Sequence, residues 1–180
     1  MSRRNEVVEA AERILESEGP DAVTMRRLAA ELGMRAPSLY KHVANKAEIH
    51  AALQRRALEY LAGVLAGAGT DLAALVAAYR RWALEHPRLY ELSARYPLDR
   101  ERVGAEAEAK AQAPLLEATG GNVAAARAIW GLAHGLIDLE LAGRFPAGAD
   151  LQATWGHAIQ AFANYLPVID RRSPDGDAQR

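Results

Sequence analysis

Residues Thr24 to Ile49, TMRRLAAELGMRAPSLYKHVANKAEI, constrain the fold of this chain more than any other stretch. The hydroxyl of Thr24 can cap free backbone amides, and the apolar residues that follow at helical spacing predict a short helix. Gly33 stands one place after this apolar series, where the end of a helix favours a residue that tolerates positive φ. The stretch therefore begins with a helix that stops at a tight turn.

A second, shorter helix is predicted over about residues 36–42. Pro37 falls in its first turn, where the missing N–H costs nothing, and a helix this short must be held by packing. Asn45 can then cap a long helix that starts at Lys46, with Glu48 at the third position as in a capping box. Helix, tight turn and short helix together predict a helix-turn-helix, whose second helix reads a DNA major groove.

The N-terminal third of the chain, AAERILESEGPDAVTMRRLAAELGMRAPSLYKHVANKAEI, resembles the DNA-binding domain of TetR-family transcriptional regulators. The resemblance rests on the apolar first helix, the GPDAVTMRRLAAELG run, LYKHV, and the Asn-Lys pair at 45–46. It implies an all-α protein that forms a homodimer and whose C-terminal domain binds a small-molecule effector. Trp130, His134 and Gly135 are also similar to the Trp-His-Gly signature of one TetR C-terminal subgroup.

Helical periodicity continues along the rest of the chain and divides it into three parts. We expect a three-helix helix-turn-helix DNA-binding domain over residues 1–48, a helical ligand-binding and dimerisation domain over 49–168, and a disordered polar tail over 169–180. Within the second part, one polar helix is predicted from Asp99 towards Ala118, with a break or kink at Pro114. Two long helices are predicted over residues 122–144 and 150–166.

Composition narrows the possible classes of protein. Half of the residues are hydrophobic, alanine is abundant and β-branched runs are scarce, which favours helices. No cysteine occurs, so disulfides and cysteine-bound metals are excluded, and we expect no cofactor. No apolar run approaches ~20 residues and no signal-like N-terminus is present, so we expect a cytoplasmic protein without a membrane partner. Residues 24–46 hold five basic residues and one acidic residue, which suits a DNA partner.

The helix-turn-helix supplies the candidate DNA-binding residues. Leu39 and Val43 are expected to face the core, which leaves the other side chains of this segment to the groove. Arg35 can pair with guanine, and Ala36 and Pro37 can contact a thymine methyl. By resemblance, Tyr40 and Lys46 are phosphate contacts. The predicted set is Thr24, Arg35, Ala36, Pro37, Ser38, Tyr40, Lys41, His42 and Lys46.

Each of these assignments has a simpler alternative. The less favoured alternative for Tyr40 is an aromatic residue at the edge of the core, and for Lys46 an ordinary surface lysine. Arg26 and Arg27 are interpreted as solvated charges. A cation at a helix N-terminus opposes the helix dipole and favours a nearby anion, which supports a phosphate contact for Lys46.

Aromatic and ionisable residues in the second part predict an apolar pocket with a few polar groups. Trp130, His134 and Asp138 share one helical face. A hydrogen-bonded His–Asp pair inside the core explains them as well as a ligand site does. A metal site needs more ligands than this pair offers, so none is predicted. The predicted ligand-binding residues are Tyr60, Trp82, His86, Tyr90, Trp130, His134 and Asp138, with Tyr96 as a further aromatic candidate.

The last helix carries an apolar stripe of Leu151, Trp155, Ile159 and Phe162. With the preceding helix it can pair with its own copy in a twofold four-helix interface. The alternative is that the stripe packs into the core of its own chain. The family resemblance favours the dimer.

Three functions are compatible with these patterns to different degrees. The favoured one is a ligand-responsive repressor that binds double-stranded DNA at an inverted-repeat operator as a dimer. The second is a constitutive helix-turn-helix protein without a small-molecule ligand. An enzyme is disfavoured because the sequence has no glycine-rich phosphate loop, no cysteine and no nucleophile–base motif. Sequence leaves open the effector, the operator and the choice between repressor and activator.

Overall fold

The fold is all-α, as predicted. The computed structural model describes the backbone of residues 2–170 and the side chains of residues 2–164, and this part contains helices and no strand. The expected disordered tail lies outside the described residues from Arg171 onward. None of the described helices is both long and apolar enough to cross a bilayer.

Three helices form the N-terminal head: α1 (Arg3–Glu18), α2 (Met25–Glu31) and α3 (Ala36–Leu39), with a 3-10 turn (Pro20–Ala22) after α1. Helix α1 presents a fully buried apolar stripe to the others, including Val7, Ile14 and Leu15. The predicted turn at Gly33 has φ +61°, a conformation that a side chain would strain. Apolar packing along α1 therefore holds the two short helices, which could not persist alone.

Helix α4 (Lys46–Ala68) joins the head to the rest of the molecule. The side-chain oxygen of Asn45 accepts a hydrogen bond from the Glu48 N–H at 3.0 Å. The Glu48 carboxylate accepts from the Ala44 N–H at 2.7 Å, one residue before the capping-box donor. The helix continues through Gly67 and ends at Ala68, with Gly69 as its C-cap.

The C-terminal part contains six helices: α5 (Leu72–Glu85), α6 (Pro87–Arg95), α7 (Arg100–Val103), α8 (Ala105–Ala118), α9 (Val123–Leu141) and α10 (Leu151–Asp170). The prediction of a single helix from Asp99 to Ala118 is wrong, because the structure has two helices there. Gly104, at φ +86°, interrupts it and separates α7 from α8. The expected break at Pro114 does not occur, because α8 continues through that residue.

A polar cluster joins α5, α9 and α10. The Arg80 guanidinium donates to both carboxylate oxygens of Glu140, at 2.7 and 2.9 Å, and lies 5.4 Å from the centre of the Trp155 ring. The Trp155 indole N–H donates to the same carboxylate at 3.3 Å. These bonds, with Arg80 first, hold the pKa of Glu140 below its usual value of 4.5.

We expect the Arg80–Glu140 bridge to stabilise the fold only while Glu140 is ionised. Because the pKa of Glu140 is lower when folded than when unfolded, its contribution is present above the unfolded value and lost as pH falls through the folded value. Glu140→Gln should lower the free energy of unfolding by about 1 kcal/mol at neutral pH, by loss of charge-assisted bonds. Urea unfolding at neutral and acidic pH should show this difference shrinking.

Glu106→Gln is the matched control, because Glu106 pairs with Lys110 on the open surface of α8. It should change the unfolding midpoint little at either pH. An equal effect of both substitutions would contradict a special role for the partly buried Arg80–Glu140 bridge.

Candidate functional site

The reading segment of the helix-turn-helix is anchored by two buried side chains. Leu39 is 0% exposed and Val43 is 2% exposed, so both face the head as expected. The regular part of the second helix is shorter than predicted and ends at Leu39. A turn then continues to Val43, whose N–H donates to the Leu39 carbonyl at 3.2 Å. The groove side is thus presented by a single helical turn followed by a hydrogen-bonded turn.

Side chains of this segment differ in how far they project. Arg35 precedes α3 and makes no side-chain capping bond to it, so its guanidinium is not used by the helix. Tyr40 is 54% exposed, which makes it a surface residue and not part of the core edge. Arg35, Pro37, Tyr40 and Lys41 are exposed, whereas Ala36, Ser38 and His42 are half-buried.

Arginines of α2 have different surroundings. Arg27 is paired with Glu18 at 2.7 Å and with Glu31 at 2.9 Å, so it serves the structure of the head. Among the described residues, the ion pairs of the head use Arg3, Arg4, Arg13 and Arg27. The basic residues absent from these pairs are Arg26, Arg35, Lys41 and Lys46.

Two of the predicted DNA contacts lie at helix starts. The Thr24 hydroxyl oxygen accepts from the Arg27 N–H at 3.1 Å and so caps α2. Lys46 is the first residue of α4, directly after the Asn45 cap. A cation in that place is opposed by the helix dipole, and an external phosphate would relieve this.

Tyr90, His134 and Asp138 meet in a hydrogen-bonded cluster between α6 and α9. The Tyr90 hydroxyl lies 2.7 Å from His134 Nδ1 and 3.2 Å from Asp138 Oδ1. Asp138 also pairs with Arg95 at 3.4 Å. Tyr90 is 1% exposed, and this burial is the main cause of its strongly raised pKa. Tyr90 therefore stays protonated and serves as a hydrogen-bond donor.

Aromatic contacts extend this cluster in both directions. Trp130 stacks on His134 with ring centres 5.6 Å apart, and Tyr90 meets the edge of Trp82 at 6.4 Å. Trp82 in turn contacts His86, which stacks on Tyr60, each at 6.4 Å. The seven predicted ligand-binding residues thus form one connected row. Tyr96 lies apart from it, against His50.

Exposure along this row is uneven. Trp130 is 51% exposed and Tyr60 is 47% exposed, so they are the ends of the row, whereas Trp82 is 4% exposed. The Trp82 indole N–H is buried without a hydrogen-bond partner among the described residues. A buried donor left unpaired costs about 1–3 kcal/mol, so this N–H would gain from an acceptor. Within the described part, no three His, Asp or Glu residues are grouped closely enough for a metal ion.

The apolar stripe of α10 faces its own chain. Leu151, Ile159 and Phe162 pack against the core cluster, and Trp155 is 5% exposed. For Trp155 this corrects the expected place of the dimer contact, because so little of its surface remains for a partner. The arrangement matches the alternative that the stripe belongs to the core of its own chain.

Several important side chains were not found from sequence. Glu16 on α1 accepts a hydrogen bond from the Leu89 N–H at 3.1 Å, and buried Gln54 on α4 donates to the Leu92 and Pro97 carbonyls at 3.3 and 3.1 Å. The hydrogen-bond partners of Glu16 and Gln54 are tens of residues away in the sequence, so no local sequence pattern predicts these bonds. Gln54, a polar residue among the buried positions of α4, was the only available signal.

Comparison with known proteins gives a match to a family model for each of the two parts of the chain, the helix-turn-helix and the C-terminal helices. The family model for bacterial regulatory proteins of the tetR family matches residues 7–53. The model for a tetracyclin repressor-like C-terminal domain matches residues 72–162. A helix-turn-helix head joined to a helical C-terminal domain defines a DNA-binding transcriptional regulator.

Individual relatives agree. An uncharacterized HTH-type transcriptional regulator of Mycobacterium tuberculosis is 36% identical over 154 residues, which is 78% of this chain and 71% of the relative. An HTH-type transcriptional repressor of Streptomyces coeruleorubidus is 51% identical over 43 residues, 24% of this chain and 16% of the relative. The crystal structure of a tetR-family regulator from Streptomyces coelicolor superposes with a TM-score of 0.70 at 20% identity, covering 97% of this chain and 94% of that one.

The chain therefore belongs to the TetR family of bacterial transcriptional regulators. It is a DNA-binding regulator and not an enzyme.

We expect Arg35 and Lys46 to contribute to DNA binding in different ways. With a duplex selected by the protein from a random pool, Arg35→Ala should cost ~1–3 kcal/mol and relax base choice at one position. Lys46→Ala should weaken all sequences alike and reduce the slope of log affinity against log salt by about 1. Fluorescence anisotropy over a salt series measures both effects.

Arg27→Ala is the matched control, because its charge is already neutralised by Glu18 and Glu31. It should lower the melting temperature and leave the salt slope unchanged. A slope change as large as that of Lys46→Ala would show that Arg27 also contacts phosphate.

Proposed function

We propose that this protein is a repressor that binds an inverted-repeat operator as a homodimer and is released by a small apolar molecule. The observation that carries the proposal is the continuity of α4. Its 23 residues run from Lys46, beside the reading segment, into the core formed with α5, α6 and α8. A change in that core therefore has a rigid path to the head. A repressor must reach chromosomal DNA, which supports our expectation that it works in the cytoplasm.

The unpaired cations around the reading segment support the DNA contacts. We propose that Arg35 reads a base, that Ala36 and Pro37 lie against thymine methyl groups, and that Tyr40, Lys41 and Lys46 contact phosphates. Two such heads in a twofold dimer would present two reading segments to opposed half-sites. The match of the head to a named repressor supports repression as the outcome.

Outward faces of α9 and α10 support the homodimer. On α9 this face carries Leu132 and Leu139, which are 36% and 43% exposed. A Cβ atom added at Gly131 or Gly135, or at Gly156 on α10, would meet nothing within 4 Å. Open glycines allow another helix to approach closely. We therefore place the partner on this side, opposite the apolar stripe of α10.

Leu139→Glu should convert the protein to a monomer, because the new charge would be buried unpaired in the interface. Leu141→Glu is the matched control: the same residue type on the same helix, 37% exposed, but turned to another side. Sedimentation at low micromolar concentration should show a monomer for the first and a dimer for the second, with both still helical. If Leu139→Glu remains dimeric, the interface lies elsewhere.

The row of aromatic residues between α5, α6 and α9 supports an effector site. A planar apolar molecule could insert along Trp82, Tyr90 and His134 and exchange hydrogen bonds with the polar groups there. The unpaired Trp82 N–H favours an effector with a hydrogen-bond acceptor. Trp130, His134 and Gly135 also support assignment to the Trp-His-Gly subgroup.

Release requires that the effector prefers the conformation that cannot bind DNA, because equal affinity for both states would shift nothing. We propose that it displaces α4 and so changes the spacing of the two heads. Moving the population from mostly bound to mostly free needs ~5 kcal/mol of differential binding, which two sites per dimer would share.

A thermal-shift screen of apolar aromatic compounds tests this part, since a ligand that binds the folded state raises the melting temperature. Any compound found should change tryptophan fluorescence and weaken DNA binding over the same concentration range. His134→Ala and Trp130→Ala should impair this response by ~10-fold in concentration, the loss of about one good hydrogen bond or stacking contact. The affinity of Trp130→Ala for the selected duplex without compound should stay near that of the parent.

Two results would count against the effector proposal. If no compound stabilises the protein while it still binds its selected duplex, the constitutive regulator becomes the better description. If both variants respond as the parent does, the effector binds outside the aromatic row.

A further inference from the structure

Helix α6 is attached at its N-terminus to the head by a residue of α1. His86, before α6, makes no side-chain capping bond, and Pro87 has no N–H to offer. The Glu16 carboxylate fills the capping position instead, accepting from the Leu89 N–H at 3.1 Å. Since Leu89 is at the third position of α6, this is the donor that a local cap would normally satisfy. The cap of α6 thus comes from a residue 73 positions earlier in the chain.

A second contact lies at the same place. The Arg88 guanidinium lies against Gly19 at the end of α1, since a Cβ atom added there would be 3.9 Å from its central carbon. The start of α6 and the end of α1 therefore meet through two side chains, one from each helix. Burial raises the pKa of Glu16 from 4.5, opposed by the bonds to the α6 backbone.

The C-terminal end of α6 is attached to α4. Gln54 is 2% exposed and donates to the Leu92 carbonyl and, beyond the helix, to the Pro97 carbonyl. Between the two ends, Tyr90 is bonded to His134 and Asp138 on α9. Besides the apolar packing of its buried side chains, this nine-residue helix has three hydrogen-bonded attachments, one each to α1, α4 and α9. Polar bonds of this kind can be exchanged for bonds to a ligand at little net cost.

We propose that Glu16 is a positioning residue for regulated DNA binding, which ties α6 to α1 so that a displacement of Tyr90 is passed to the helix-turn-helix. This inference rests on the proposed function, and it adds a route through α1 to the route through α4. An effector that takes over the Tyr90 hydrogen bonds would free α6 from α9. The Glu16 cap would then carry the movement to α1, on which α2 packs.

A double-mutant cycle tests this route without an effector. Tyr90→Phe removes the hydroxyl and keeps the ring, so it removes the hydrogen bonds between α6 and α9. It should weaken binding to a duplex selected by the wild-type protein from a random pool by roughly 5-fold, the lower end of ordinary coupling between sites. In a Glu16→Ala background the same change should have less than about 2-fold effect, since α6 is no longer tied to α1. Glu16→Gln keeps an acceptor oxygen and should restore part of the coupling.

Glu12→Gln is the matched control on α1, because Glu12 pairs with Arg56 of α4 and not with α6. The fold-changes in DNA affinity caused by Glu12→Gln and by Tyr90→Phe should multiply in the double variant. If Glu16 only stabilises the fold, Glu16→Ala should lower the melting temperature, and the effect of Tyr90→Phe on DNA affinity should be the same in both backgrounds. Circular dichroism and the hydrogen exchange of the Leu89 amide show whether each variant is folded and whether the cap is lost.

The remaining outcomes are distinguishable. If Glu16→Ala and Tyr90→Phe multiply as independent changes, or if Tyr90→Phe has no effect while the parent binds its duplex, the inference is overturned and the proposed function stands. If the parent selects no duplex at all, the proposed function fails and this inference fails with it.

Discussion

The structure depends on the burial of one side of α4 against two groups of helices at once. Ile49, Leu53 and Ala57 are all nearly inaccessible to solvent, and they belong to a single core cluster that also contains α1 and α6 residues. Burying a large aliphatic side chain is worth about 1.5–3 kcal/mol, so this packing dominates the polar contacts around it. The head cannot tilt without sliding this apolar surface. Its position is therefore set by the packing of the C-terminal helices.

Features with a local cause could be predicted from sequence. The caps at Thr24 and Asn45 and the turn at Gly33 each depend on residues within three or four positions, and each is present. The helix break at Gly104 was not predicted, because Pro114 was the residue expected to break this helix. A proline costs a helix one hydrogen bond and a local clash, and partly buried neighbours can outweigh this.

Long-range partners could not be predicted in the same way. The row of aromatic residues was expected from their types and spacing, but the bond from Tyr90 to His134 and Asp138 depends on how α6 lies against α9. Trp155 was predicted to lie in a dimer interface, but it is buried in its own chain. An apolar stripe at helical spacing marks a buried face without telling whether its partner is the same chain or a second copy. The outward face of α9, with its open glycines, is the surface that we propose for the second copy.

Helix α9 has a different neighbour on each of its sides, and this decides which element is free to move. Ala133 and Ile137 face the core, His134 and Asp138 face α6, and Gly135 faces outward. A helix fixed on its core side by apolar packing cannot follow a ligand without losing buried area. Helix α6 is shorter than α9, with nine residues against nineteen, and hydrogen bonds to α1, α4 and α9 supplement the packing of its buried Leu89 and Leu92. If an effector occupies the aromatic row as proposed, we expect the shorter helix α6 to move against α9, because less buried area is lost than by moving α9.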